Sequence, residues 1–325
     1  MINAKISAFG CYVPPGVLTN QDLEKLVDTN DEWILSRTGI HTRHIAAPDV
    51  ATSDLAYEAA KNCLAQRGMD ANDLDAILVA TVTPDMFFPS TACLVQNRLG
   101  AHHAWGFDIS AACSSFVYGL TVGANLIRGG THKRVLVIGA DTMSRIIDYT
   151  DRATCILFGD GAGAFLLEEG DGYLSFHNEI DGSGGEYLKM PAGGSRMPSS
   201  KETVEQRLHF VKQEGAAVFK YAVRKMEEAA LAAMDKAGLK PEDIKVLIPH
   251  QANMRIIQAT AERLGLGPDR VIINIDRYGN TTAGTIPLAT RDAVEQGKLQ
   301  KGDLVLFVTV GAGFTVGANI WRWTI

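Results

Sequence analysis

Two kinds of apolar pattern alternate along the chain. Residues 76–82 and 134–139 are short, unbroken runs of Val, Ile, Leu and Ala, as expected of strands buried on both faces. Longer stretches with helical spacing lie between and beyond them. Residues 53–67 read as a capped helix, with Gly68 placed to end it. Residues 114–128 read as an apolar helix closed by Gly129 and Gly130, and residues 215–236 as a long amphipathic one. Residues 304–321 carry no charge and are long enough to suggest a membrane span. Gly311, Gly313 and Gly317 interrupt that run, and Val and Phe dominate the rest, so two buried strands joined by a glycine turn are the better reading. Strands alternating with helices predict an α/β protein whose parallel-rich sheets are covered on both faces.

The pattern repeats. Gly68-Met-Asp-Ala-Asn-Asp-Leu-Asp-Ala-Ile-Leu-Val-Ala80 aligns with Gly238-Leu-Lys-Pro-Glu-Asp-Ile-Lys-Val-Leu-Ile-Pro-His250, an offset of 170. Val135-Leu-Val-Ile138 aligns with Val305-Leu-Phe-Val308 at the same offset. Gly161-Ala-Gly163 resembles Gly311-Ala-Gly313 at a shorter one, which places an extra segment near residues 144–154 of the first half. Helix–glycine–loop–strand is common α/β grammar, but two strand matches at one offset favour duplication. The predicted halves are 1–170 and 171–325.

Composition narrows the function. Of 325 residues, 46% are hydrophobic and 21% charged, the balance of a soluble globular protein with a large core. The formal net charge of −6 argues against nucleic acid as a partner. Five cysteines form no CxxC pair, so a disulfide framework and a metal site are not expected and a reducing, cytoplasmic compartment fits. The N-terminal segment has no basic start followed by an apolar run. None of the glycine clusters has phosphate-loop spacing.

Three segments carry candidate chemistry. In Phe107-Asp-Ile-Ser-Ala-Ala-Cys-Ser-Ser-Phe116 a strand runs into a helix, and Cys113 sits at the helix N-terminus, where the dipole favours thiolate. A buried Cys is more often inert, the reading given to Cys63 and Cys155. In Ile248-Pro-His-Gln-Ala-Asn-Met-Arg255, His250 ends a buried strand, where α/β folds place ligands. From the residues alone, a satisfied core histidine is an equal reading. In Asp276-Arg-Tyr-Gly-Asn-Thr-Thr-Ala-Gly-Thr-Ile-Pro287, Asn280 is either a turn former or a functional amide at a second loop-to-helix corner. A Cys, a His and an Asn at element ends supply the parts of a thiol acyl-transfer site. A glycine turn at 311–313 adds backbone N–H groups for an oxyanion.

With these residues in view, the sequence resembles the β-ketoacyl-acyl-carrier-protein synthase III family, initiating condensing enzymes in the thiolase-like superfamily. The resemblance covers nearly the whole chain. It rests on Asp31-Glu-Trp-Ile34, Arg37-Thr-Gly-Ile40, the Cys113 segment, Phe158-Gly-Asp-Gly-Ala-Gly163, His250-Gln-Ala-Asn253, Tyr278-Gly-Asn-Thr-Thr282 and Gly313-Phe-Thr315. It implies a five-layer αβαβα sandwich of two pseudo-symmetric halves. It also implies a homodimer that takes an acyl group, typically acetyl, from acyl-CoA onto Cys113. Malonyl-acyl carrier protein then loses CO₂ and condenses with it. Coenzyme A enters as a substrate thioester, and no separate cofactor is implied. The resemblance assigns the oxyanion to the N–H groups of Cys113 and Gly313, and the enolate to His250 and Asn280. An Asn at that place, in lieu of a second His, marks the initiating type. Trp33, Arg37, Arg152 and, more weakly, Asn253 match residues that hold CoA. Arg37 and Arg152 are by themselves ordinary surface charges. Phe88 matches the residue that closes the acyl pocket from the partner subunit. Lys220, Arg224 and Arg255 match or adjoin a basic landing patch for the acidic carrier protein. Lys225 and Arg263 extend that patch, and Glu262 departs from it. Ser110 and Ser114 depart from the small apolar residues usual beside the nucleophile.

Two other readings compete. An acyltransferase or specialised-metabolism ketosynthase on the same fold commonly alters the His or the Asn. A non-catalytic partner protein commonly lacks the nucleophile. The presence of all three residues counts against both.

Overall fold

The computed structural model describes residues 2–325. In chain order, its first half holds strand β1 (Ala4–Tyr12), helix α1 (Asp31–Thr38), helix α2 (Thr52–Arg67), strand β2 (Ala76–Ala80), helix α3 (Thr91–Leu99), strand β3 (Trp105–Ile109), helix α4 (Ser115–Arg128), strand β4 (Arg134–Asp141) and strand β5 (Gly161–Glu169). The second half holds strand β6 (Tyr173–Ile180), helix α5 (Gly215–Ala237), strand β7 (Val246–Pro249), helix α6 (Met254–Arg263), helix α7 (Thr285–Glu295), strand β8 (Leu304–Gly311) and strand β9 (Thr315–Arg322).

The strands form two large mixed sheets, ordered β1-β5-β4-β2-β3 and β6-β9-β8-β7. In the first, β2 runs parallel to β3 and β4; in the second, β7 runs parallel to β8. The other pairings in both sheets are antiparallel. The registers repeat at the offset read in the sequence. Ala76 pairs with Val135 in the first sheet, and Val246 with Val305 in the second. Where β3 borders β2 through Ile77 and Gly106, the second sheet keeps only a single bridge, between Leu247 and Val271.

Burial on both faces explains the unbroken apolar runs. Along β4, Leu136 and Ile138 face an outer cluster with Leu55, Ala59 and Val95 of α2 and α3. Val135 and Val137 face inward, to Phe116 and Leu120 of α4 and Ile286 of α7. On the far side, α5 and α6 cover Leu306 and Val308 with Met226, Ala230 and Ile257. The layers therefore run helix, sheet, helix, sheet, helix, with α4 and α7 in the middle. Phe116 stacks edge-on to Phe165 at 5.1 Å, and Phe165 lies 5.9 Å from Phe307 of the other sheet. Deleting the fully buried Phe116 side chain would cost about 3–5 kcal/mol.

Some boundaries differ from the sequence reading, for local reasons. Helix α2 begins at Thr52 after an Ala51 cap that lacks a side-chain acceptor. Ser53 instead donates its hydroxyl to Asp85 at 2.6 Å. The uncharged stretch 304–321 is β8 and β9 joined by residues 312–314. Its counterpart in the first half, residues 142–160 between β4 and β5, is much longer.

Candidate active site

Strand β3 ends at Ile109, and the chain turns into α4 through a short 3₁₀ turn, Ala112–Ser114. Ala112 is left-handed, with φ of 48°, which costs a non-glycine residue roughly 1–2 kcal/mol and kinks the chain just before Cys113. Thr315 holds the corner from the second sheet by donating its hydroxyl to the Ala111 carbonyl at 2.8 Å. The Cys113 N–H has no hydrogen-bond acceptor among the described residues. Gly311 comes so close that an added Cβ would stand 2.7 Å from that nitrogen. The thiol departs from the sequence expectation. Burial pushes it up to about 12, the Asp141 charge adds to the rise, and the residue's own N–H pulls the other way. Burial thus favours the neutral thiol in the free protein, opposing the thiolate that a helix N-terminus favours.

His250 follows the last residue of β7 and is 1% exposed. Burial pushes its imidazole down to about 3, so the ring is neutral at working pH. Its Nδ1 lies 2.8 Å from Thr285 Oγ1, which is also 3.1 Å from the Thr282 carbonyl oxygen. The single hydroxyl proton can serve only one of the two positions at a time: on the Thr282 carbonyl, it calls for a proton on Nδ1. Donated to Nδ1, it leaves the ring's own proton on Nε2. Asn280 is fixed by its backbone, with its N–H on Leu157 O and its carbonyl on the Gly159 N–H. Its Oδ1 accepts the Thr282 N–H at 2.9 Å, which orients the amide and leaves the Nδ2 hydrogens free to donate. Thr285 and the Thr282 N–H were missed in the sequence, because neither residue type marks such a role there.

Cys113, His250 and Asn280 line one cavity of about 550 Å³. Trp33, Arg37, Asn253 and Arg255 line it too, towards the mouth. Arg152 stacks over Trp33, its guanidinium 4.8 Å from the ring centroid, and donates to Asp28 O at 3.0 Å. Arg37 lies over the same ring at 5.9 Å. The Asn253 amide is engaged at both ends: its Oδ1 caps α6 on the Arg255 N–H, and its Nδ2 donates to Arg37 O. Lys220, Arg224 and Arg255 are exposed on α5 and α6. Arg224 is drawn into an ion pair with Glu228, and Arg263 into one with Glu227. An apolar annex of about 140 Å³ adjoins Cys113, walled by Val82, Met143, Ile146, Met190, Val211 and Thr282. Phe88 is 84% exposed and lines neither space. Gly313 stands in the β8–β9 turn beside the corner, and its N–H has no acceptor among the described residues.

A sandwich of two matched sheets, with a cysteine at the N-terminal corner of one central helix and an asparagine at that of the other, defines a thiolase-fold condensing enzyme. Comparison with known proteins makes the assignment narrower. Residues 107–182 match the family model "3-Oxoacyl-[acyl-carrier-protein (ACP)] synthase III", and residues 234–323 match that of its C-terminal part. The chain is 67% identical to a β-ketoacyl-[acyl-carrier-protein] synthase III of Solibacter usitatus, with 99% of each chain covered. It is 58% identical to one of Koribacter versatilis, with 98% of each covered. Its structure superposes on 3-oxoacyl-[acyl-carrier-protein] synthase III from Aquifex aeolicus with a TM-score of 0.91 and 44% identity, covering 98% of this chain and 100% of that one. The chain belongs to the β-ketoacyl-[acyl-carrier-protein] synthase III family and is a condensing enzyme of the acyltransferase type.

Proposed function

We propose that this enzyme joins an acetyl group from acetyl-CoA to malonyl-acyl carrier protein, making the first β-ketoacyl chain of fatty acid synthesis. The observation that carries the reading is the convergence of Cys113, His250 and Asn280 on one cavity, beside a Cys113 N–H with no protein acceptor. The Cys113 sulfur attacks the thioester carbonyl, and CoA leaves with the thiol proton on its sulfur. The oxyanion formed on the way is held by the N–H groups of Cys113 and Gly313. Malonyl-carrier protein then enters. As its C–C bond to the carboxylate breaks and CO₂ departs, negative charge gathers on the thioester oxygen. Neutral donors from His250 Nε2 and Asn280 Nδ2 stabilise that enolate. Its carbon attacks the acyl carbonyl, the C–S bond to Cys113 breaks, and the sulfur takes up a proton from solvent.

The starter is short. The annex beside Cys113 is only about 140 Å³, about a quarter of the main cavity of about 550 Å³. Phe88 of a second copy would close it further. That role fits the exposed Met86, Phe87 and Phe88, and the exposed Trp105 and Phe107 on edge strand β3, as the apolar surface of a homodimer. Trp33, Arg37 and Arg152 grip the CoA nucleotide, with Asn253 beside its pantetheine. Arg255 beside the cavity, with the exposed Lys220 and Arg224 of α5, attracts the acidic carrier protein, Lys220 and Arg255 more than the ion-paired Arg224. The halves 1–170 and 171–325 are taken as copies of one ancestral unit, and the cytoplasm as its site of action.

The test is intact-protein mass after mixing with acetyl-CoA. A gain of one acetyl group, absent in Cys113→Ser, is expected. No gain with acetyl-CoA or with any longer acyl-CoA would overturn the reading.

A further inference from the structure

One fully buried carboxylate plays no part in the steps above. Asp141 ends β4. Its Oδ1 accepts the Thr81 hydroxyl at 3.0 Å, the Val82 N–H at 2.8 Å, and the N–H and hydroxyl of Thr83 at 3.2 and 2.9 Å. Its Oδ2 accepts the N–H of Ala283 at 3.1 Å, across the boundary between the halves. Thr81 Oγ1 accepts the Thr83 N–H and Thr83 Oγ1 accepts the Thr142 N–H, which leaves both hydroxyl hydrogens available to the carboxylate, although Thr52 Oγ1 also lies 3.1 Å from Thr83 Oγ1. Five donors with no acceptor among them make a nest for an ionised group. Burial opposes that and pushes the carboxyl up to about 6.

The internal symmetry gives the Ala283 contact a meaning. The turns Ala112–Ser114 and Thr282–Gly284 stand 170 residues apart and lead into α4 and α7. Each opens on a left-handed residue, Ala112 at φ 48° and Thr282 at φ 53°. Cys113 and Ala283 come next. Asp141 and Gly311 end the equivalent strands β4 and β8. At Gly311 the missing side chain leaves the Cys113 N–H without a protein acceptor. At Asp141 a carboxylate occupies the corresponding place and takes the corresponding N–H. The fold thus holds two oxyanion positions, one left for substrate and one filled permanently from within.

We propose that Asp141 is the positioning residue for the decarboxylating arm of the site: its buried carboxylate acts as a resident oxyanion that locks the 280–283 turn. Through Ala283 it fixes Thr282. The Thr282 N–H holds Asn280 Oδ1, and the Thr282 carbonyl adjoins the hydroxyl that orients His250. One carboxylate therefore sets both donors to the enolate. Towards Cys113 it acts by charge alone, and that charge disfavours thiolate. The inference rests on the reading of His250 and Asn280 given above.

The test separates the half-reactions. Asp141→Asn is nearly isosteric; with its oxygen kept on Thr81–Thr83, its NH₂ meets the Ala283 N–H donor to donor. Acetyl transfer from acetyl-CoA to Cys113, followed by intact mass, is expected to be at least as fast as in the parent enzyme. Release of CO₂ from malonyl-carrier protein is expected to fall roughly 10–100-fold, the range for groups that orient a functional ligand from behind. Thr83→Val keeps the carboxylate but loosens it, and is expected to show the same split at smaller size; it serves if Asp141→Asn does not fold. Equal slowing of both half-reactions, or none of either, in whichever variant folds, overturns the proposal. Asn280→Ala is the reference. If it is slow in CO₂ release and Asp141→Asn is not, only the present inference fails. If Asn280→Ala is itself unimpaired, the reading of the donors falls and this inference with it.

Discussion

The Thr285 hydroxyl oxygen lies 2.8 Å from Nδ1 of His250, and both residues are buried. The helix that carries Thr285 thereby holds the ring through Nδ1. Thr285→Val removes the only hydrogen-bond partner of Nδ1 among the described residues. We expect ¹⁵N spectra of labelled histidine to lose the Nε2–H form, and condensation to slow by up to ~10²-fold, the cost of one misdirected donor. Thr285→Ser should restore both. A Val variant with normal turnover and an unchanged spectrum would sink the assignment.

His250 should stay neutral from pH 8 down to pH 5, because burial holds it near 3. A titration followed by NMR is expected to show no midpoint for this ring above pH 5. The sign for stability follows. The unfolded imidazole binds a proton near its ordinary value of about 6.5, while the folded one refuses it. The unfolded state therefore gains protons first, and this residue's contribution to stability is fully present above pH 6.5 and erodes as pH falls towards 3. Replacing His250 by Gln should flatten that part of the unfolding curve.

Gly311 has room for no side chain. Its Cβ would stand 2.7 Å from the Cys113 nitrogen and 2.8 Å from Thr315 Oγ1. Gly311→Ala is expected to leave the sheets intact and to cut acetylation of Cys113 by ~10²–10³, the range for loss of one oxyanion donor. Acetyl capture at the parent rate would show that this N–H does not serve the reaction.

Asp148 is nearly buried and meets the Arg207 guanidinium through both of its oxygens. That pairing holds its carboxyl well below the usual range. The acid is depressed on folding, so its stabilisation is present above pH 4 and is lost as pH falls further. Arg207 is half-exposed, so its loss should weaken the fold at pH 7 mainly by leaving a buried acceptor underpaired. Arg207→Gln should lower Tm at pH 7, and the gap to the parent should start to narrow only below pH 4 and close only where the folded carboxyl itself takes up a proton, well below pH 3. A gap that did not narrow at all below pH 4 would point to packing in place of charge.

Most of the frame was legible in the chain because it depends on patterns that burial imposes directly. The runs at 135–138 and 305–308 are apolar on alternate residues of both parities, since each strand has a helix on either side. Their common offset foretold the matching registers. The start of α2 was misplaced by one residue, because Ser53 is spent on Asp85, a partner far away in sequence. Cys113 was recognisable at its corner, but its protonation was not, since depth of burial is a property of the whole fold. Asp141 was passed over because an acid at a strand end looks like a routine terminator. Only its alignment with Gly311 would have marked it. Phe88 is exposed in the single chain, and the role expected of it would require a second copy.

The two halves differ most where one joins β4 to β5 through residues 142–160 and the other makes the same join through 312–314. The longer connector brings Met143 and Ile146 to the acyl annex, and Ile156, Leu157 and Phe158 to the main cavity. The proposed bond-making groups sit on the frame that the two halves share, while much of the cavity wall belongs to an excursion from it. Selection, or an engineer, is therefore free to re-size the guest without disturbing the reagents. Drift in acyl preference among relatives should be written in the connector while the corners stay fixed.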